Sequence, residues 1–148
     1  MLVIRNASAN DIPIILELLY DLGRPQPQEN KDIEEFTNLV TKYLLSESTK
    51  KIIVAEYNNK IVGMASMILL SRLNRKSLEL YIPELIVQKN YQNKGIGKKI
   101  MEFCVDFANQ HKCHRIRLES GNQRTDSHQF YKKLGFEQSS LSFTMNLE

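Results

Sequence analysis

Gln92, Gly95 and Gly97, with Lys94, Lys98 and Lys99 around them, are the residues whose types and spacing first suggest chemistry in this chain. They follow an apolar run ending in Leu85-Ile86-Val87. After them, Ile96, Ile100, Phe103, Cys104 and Phe107 recur at helical spacing, which predicts an amphipathic helix with one buried face. Glycines at a strand-to-helix turn let the backbone approach a ligand closely. The exposed N–H groups of the first helical turn, with the helix dipole behind them, favour phosphate. Together these features point to a pyrophosphate ligand. A P-loop is excluded, because Gln92 stands where its first glycine is needed and Lys98 is followed by Lys99 instead of Ser or Thr. A dinucleotide fingerprint would need a third glycine where Ile100 stands.

The elements that must position this turn are legible on either side. Residues 2–5 suggest a short strand. Asp11 can cap a helix that carries Pro13 in its first turn and Ile12, Ile15, Leu16 and Leu19 as its apolar stripe. A glycine- and proline-broken loop, residues 23–28, precedes a second helix with Ile33, Phe36, Val40, Tyr43 and Leu44 on one face. Strands over 51–57 and 60–69 flank Asn58-Asn59, a pair that tolerates positive φ and so predicts a tight hairpin. Residues 78–88 form the next expected strand, and 115–119 another after the central helix. A short helix over 125–134 should end at Gly135, and one or two closing strands should fill 136–147. The order is that of a single-domain α/β fold over residues 1–148. It has a mixed, mostly antiparallel sheet flanked by helices, with a strand-helix-strand crossover around Gly95.

A chain of 148 residues suffices for one domain with a real core. A hydrophobic fraction of 42% and a charged fraction of 25% are those of a soluble globular protein. The net charge of +3 suits an anionic ligand, but no basic run interleaved with aromatics points to nucleic acid. Cys104 and Cys113 lack a CxxC spacing, and with three histidines no metal site is visible. The N-terminal residues lack a charged n-region and a long apolar segment, and no run approaches a membrane span. A cytoplasmic protein with no membrane partner is the expectation, and a homodimer is left open.

Gln92-x-x-Gly95-x-Gly97 resembles the [QR]-x-x-G-x-[GA] signature of the GNAT superfamily of N-acetyltransferases. Phe130-Tyr131 followed by Leu134-Gly135-Phe136 resembles a second segment of that family, and the element order resembles its fold over nearly the whole chain. The resemblance implies acetyl-coenzyme A as acetyl donor, no metal, and direct attack by an amine in a ternary complex. It implies that Gln92, Asn93, Lys94, Gly95, Ile96, Gly97, Lys98 and Lys99 hold the pyrophosphate. Backbone groups of Ile86 and Val87 would pair with the pantetheine arm where the strand splays from its neighbour, and Asn122 would touch the same arm. Tyr131 would meet the cofactor and protonate the departing thiolate. Glu84 would take the ammonium proton, directly or through water. Two departures stand out: Gln92 replaces a frequent arginine, and Pro83 occupies the first place of a common acidic pair. The acceptor, a small-molecule or protein amine, should lie near residues 20–30 and 72–76. A non-catalytic acyl-coenzyme A sensor or interaction module on the same fold is the alternative.

Overall fold

A computed structural model of the chain describes residues 1–46 and 48–148. The chain divides into two compact units, Met1–Arg117 and Leu118–Glu148.

The first unit is built on a sheet. Strand β1 (Leu2–Asn6) pairs antiparallel with β2 (Lys50–Tyr57), and β2 with β3 (Lys60–Leu70). Asn58 and Asn59 both adopt positive φ, 50° and 67°, so the hairpin between β2 and β3 closes on the two residues expected. Strand β3 then pairs antiparallel with both β4 (Glu79–Ile82) and β5 (Leu85–Val87). Helix α3 (Ile96–Gln110) leads to β6 (Arg115–Leu118), which lies beside β4 in the order β1-β2-β3-β4-β6. A helical crossover is the kind of connection that parallel neighbours require.

Alternation along the strands sorts side chains onto two faces. Ile52, Val54, Met64 and Ile86 form one buried cluster with Ile12, Ile15, Leu16 and Leu18 of helix α1 (Ile12–Leu22) and Val40 of helix α2 (Asn30–Leu45). Gly63 lies on the opposite face, where a Cβ built on it would meet Ile100 Cδ1 of α3 at 3.2 Å and the Ile86 carbonyl at 3.0 Å. A glycine in mid-strand therefore marks the place where α3 packs closest to the sheet. No helix among the described residues is long and apolar enough to cross a membrane.

Three local expectations need correction. Asp11 stands at the N-cap of α1 but makes no side-chain cap there. Its carboxylate instead accepts the Ser8 N–H at 2.8 Å and a two-pronged contact from Arg5 at 2.8 and 3.0 Å. The Arg5 bonds outweigh burial and hold its pKa below the ordinary value. The single strand expected over 78–88 is two strands, divided at Pro83 and Glu84. Residues 136–148 of the second unit carry no strand, and Leu141, Phe143, Met145 and Leu147 are exposed. An alternating segment without a ladder partner leaves its backbone groups to solvent.

Candidate active site

The division between β4 and β5 is a bulge that the register makes explicit. Ala65 faces Leu85 and Ile68 faces Tyr81, so three steps on β3 span four on its partner. Pro83 has no N–H to give to the ladder, so the extra residue falls where a donor is already missing. The Glu84 carbonyl still accepts the Ser66 N–H at 2.9 Å, while the Glu84 N–H donates to Ser66 Oγ at 3.1 Å. The Ser66 hydroxyl in turn donates to the Glu84 carboxylate. The bulge thus fixes both the backbone and the side chain of Glu84.

That carboxylate opens into a cavity of about 350 Å³ under α1 and α2, lined by Tyr20, Phe36, Tyr43, Ser66, Glu84 and Arg24 among others. Arg24 reaches it because Gly23 takes φ of 105° at the end of α1 and turns the chain back, so that the Arg24 N–H meets the Leu19 carbonyl at 3.0 Å. From there the Arg24 guanidinium donates to Glu84 Oε2 at 2.7 and 3.2 Å and to the Pro83 carbonyl at 3.3 Å. Tyr43 lies deeper in the wall. Burial pushes its hydroxyl up to about 12, with the Ser66 contact lowering it and the charge of Glu84 raising it.

At the other end of β5 the chain enters the glycine turn. Gln92 Nε2 donates to the Val87 carbonyl at 3.0 Å, tying the turn to the strand. Asn93 and Gly95 both take positive φ, 62° and 80°, and Gly95 is the N-cap of α3. The Lys99 N–H is the first to close a helical bond, onto the Gly95 carbonyl at 3.1 Å, so those of Ile96, Gly97 and Lys98 have no intrahelical acceptor. Lys94 is folded over the Tyr91 ring at 5.4 Å, and Lys99 pairs with Glu102 at 3.2 Å. Strand β5 pairs with β3 alone among the described strands, while β4 also has β6. Ile86 and Val87 therefore lie on a strand with one unpaired edge.

The second unit places its residues among themselves. Helix α4 (Thr125–Lys133) carries Tyr131, whose ring stands edge-on to Phe130 and Phe136 at centroid distances of 5.2 and 5.8 Å. The Phe136 N–H returns to the Tyr131 carbonyl at 3.0 Å around Gly135, which ends the helix as the sequence predicts. Asn122 is exposed in a turn closed by the Arg124 N–H on the Gly121 carbonyl. The His128 ring is bonded to the same carbonyl at 2.8 Å.

A model of the acetyltransferase (GNAT) family matches residues 16–136, more than half of the chain. The chain belongs to the GNAT family. An uncharacterized N-acetyltransferase of Methanocaldococcus jannaschii is 24% identical over 137 residues, 91% of this chain and 60% of that protein. The aminoalkylphosphonate N-acetyltransferase of Salmonella typhimurium is 24% identical over 144 residues, 97% of this chain and 90% of that protein. A Bacillus halodurans structure described as a transcriptional regulator superposes with a TM-score of 0.88 at 26% identity, covering 99% of this chain and 100% of that one. The chain spans between 46% and 60% of the length of the first three curated relatives that it matches.

Proteins of the GNAT family typically use acetyl-coenzyme A, and the turn after β5 has the donors such a ligand needs. Three helical N–H groups without intrahelical acceptors, a left-handed glycine at the cap and nearby lysines suit a pyrophosphate. A Gly97→Val variant puts a branched side chain into this first turn. It is expected to weaken acetyl-coenzyme A binding about tenfold or more in calorimetry. Unchanged affinity in a folded variant would remove the turn from the site. Cys104 is wholly buried, and burial pushes its thiol up to about 12, which is unsuited to a nucleophile. Ser66 and Tyr43 escape the sequence because nothing local marks a serine in mid-strand or a tyrosine on a helix face.

Proposed function

We propose that the protein is an acetyl-coenzyme-A-dependent N-acetyltransferase in which an amine attacks directly in a ternary complex. The observation that carries this is Glu84, turned by a strand bulge into an enclosed cavity at one end of β5 while the glycine turn stands at the other. The backbone of residues 92–99 would hold the pyrophosphate. Ile86 and Val87 would offer their unpaired edge to the pantetheine arm, with Asn122 as a further contact. Acetyl-coenzyme A, when bound, supplies the acetyl group as a thioester.

The rest falls to the chain. Glu84, held by Ser66, takes the proton that an ammonium must lose before its nitrogen can attack. Arg24 occupies one oxygen of that carboxylate at the cavity mouth, where a cationic acceptor would compete with it. Tyr131, packed between Phe130 and Phe136, supplies the proton that a departing thiolate needs. Relatedness to an aminoalkylphosphonate N-acetyltransferase favours a small-molecule amine over a protein amine.

A panel of amines screened with acetyl-coenzyme A for thiol release tests the reading. Amine-dependent release is the expected result, and cofactor binding with no release on any amine would replace the enzyme by a sensor. Tyr131→Phe keeps the ring and loses the hydroxyl. Its kcat should fall about a hundredfold, the lower end for a positioned acid. Cofactor affinity should change far less, because the group acts mainly in the transition state. Near-native single-turnover rates in that variant would take Tyr131 out of the mechanism.

A further inference from the structure

The face of the sheet that carries the cavity also carries a second polar cluster, farther along the strands. Glu79 is wholly buried and accepts from Arg115 Nε at 2.7 Å, Arg72 Nη2 at 2.9 Å and Arg117 Nε at 3.1 Å. Register places it: Leu70 faces Glu79 and Ile68 faces Tyr81, and alternation along β3 puts both on the side of Met64 and Ser66. The Arg117 guanidinium lies over the Tyr81 ring at 4.6 Å. Tyr81 and Glu84 both act on the Tyr43 hydroxyl in the cavity wall. Lys50, opposite Ile68, lies over the Tyr43 ring at 5.2 Å. A continuous polar path therefore runs from Glu84 through Ser66, Tyr43 and Tyr81 to the arginines.

The charge along that path is unbalanced. Three guanidinium groups against one carboxylate leave two positive charges, before Lys50 is counted. One guanidinium would neutralise a buried carboxylate, so pairing with Glu79 does not account for the other two. The Arg72 and Arg115 side chains are about half exposed, at 49% and 52%, and so are within reach of a ligand. Arginine forks suit the oxygens of a phosphoryl group.

We infer that this cluster binds a dianionic phosphate or phosphonate group on the acceptor whose amine is presented to Glu84. The inference rests on the acetyltransferase reading for its amine half. From Ser66 to Ile68 and Leu70 the strand advances about 7 and 14 Å. The amine and the phosphoryl group are therefore separated by a sugar ring or an aliphatic chain of similar length. An α-amino acid, with charges a few bonds apart, does not bridge the two.

Matched acceptors test this: 6-aminohexyl phosphate against 6-aminohexanol, and glucosamine 6-phosphate against glucosamine, each with saturating acetyl-coenzyme A. The phosphorylated member of a pair should show kcat/KM higher by about tenfold or more, mainly through KM. That advantage should shrink as salt screens the cluster. Arg72→Gln, in the loop after β3, should bring the ratio within a pair close to one, with the melting temperature as folding control. Equal kcat/KM for the members of both pairs would overturn the inference. So would an advantage that survives in both Arg72→Gln and Arg115→Gln. If no amine turns over, the transferase reading fails by itself, and inorganic phosphate titrated against the coenzyme-A-saturated protein decides the cluster. Saturable binding lost in Arg72→Gln supports the phosphoryl site, and absence of such binding overturns it.

Discussion

Glu84→Gln is expected to lower kcat by roughly a hundred- to ten-thousandfold near neutral pH, the range for a positioned general base. Glutamine keeps the volume and an oxygen that can accept from Ser66 or Arg24, so the bulge and the cavity should survive. What it lacks is the capacity to take a proton from an ammonium. The loss should therefore shrink as pH rises and more of the amine arrives already neutral. A structural account makes a different prediction. If Glu84 only anchors Arg24, to which it is bonded at 2.7 Å, then Arg24→Gln should be as damaging as Glu84→Gln and neither profile should bend with pH. Steady-state rates from pH 6 to pH 9 on both variants, with melting temperatures alongside, separate the two. A Glu84→Gln enzyme with near-native kcat at neutral pH would remove the carboxylate from catalysis.

What the sequence reveals of this site follows from how local each feature is. The glycine turn is legible because a strand end, a left-handed glycine and a helix start lie within a few residues of each other. Asn58-Asn59 is legible for the same reason. Pro83 is visible in the sequence as a missing acid, yet its structural consequence is the bulge that turns Glu84 into the cavity. That consequence appears only once β3 is laid beside it. Ser66 and Tyr43 join Glu84 through strand pairing and helix packing, which no spacing rule encodes. The arginines that hold Glu79 come from positions 7, 36 and 38 residues away, so no window of sequence contains the cluster. At the C-terminal end the error runs the other way. Leu141, Phe143, Met145 and Leu147 alternate as a half-buried strand would, but alternation describes a segment's two faces and supplies no partner to pair with.

Glu79→Ala is expected to destabilise the protein by about 3–5 kcal/mol, the usual consequence of removing one side of a buried ion cluster. The carboxylate has no exposure, and its loss leaves Arg72, Arg115 and Arg117 facing one another across a cavity. Glu79→Gln isolates the electrostatic part, since it keeps the shape and one acceptor oxygen. Burial alone would raise the carboxyl pKa, but the bonds from Arg115, Arg72 and Arg117 prevail and hold it at about 2. An unfolded glutamate titrates near 4.3. The folded value is the lower of the two, so the stabilisation is fully present above about pH 4.3 and is lost as pH falls toward 2. Urea unfolding midpoints should therefore show a wide gap between the native protein and Glu79→Gln at pH 7. That gap should narrow through pH 4 and nearly close at pH 2.5. Other carboxylates titrate in the same range, Asp11 among them, but they are common to both proteins and cancel in the difference. A gap of constant width from pH 7 to pH 2.5 would mean that Glu79 contributes through packing and not through its charge. A Glu79→Ala loss below about 1 kcal/mol, the level of an exposed pair, would mean that the three arginines do not depend on it at all.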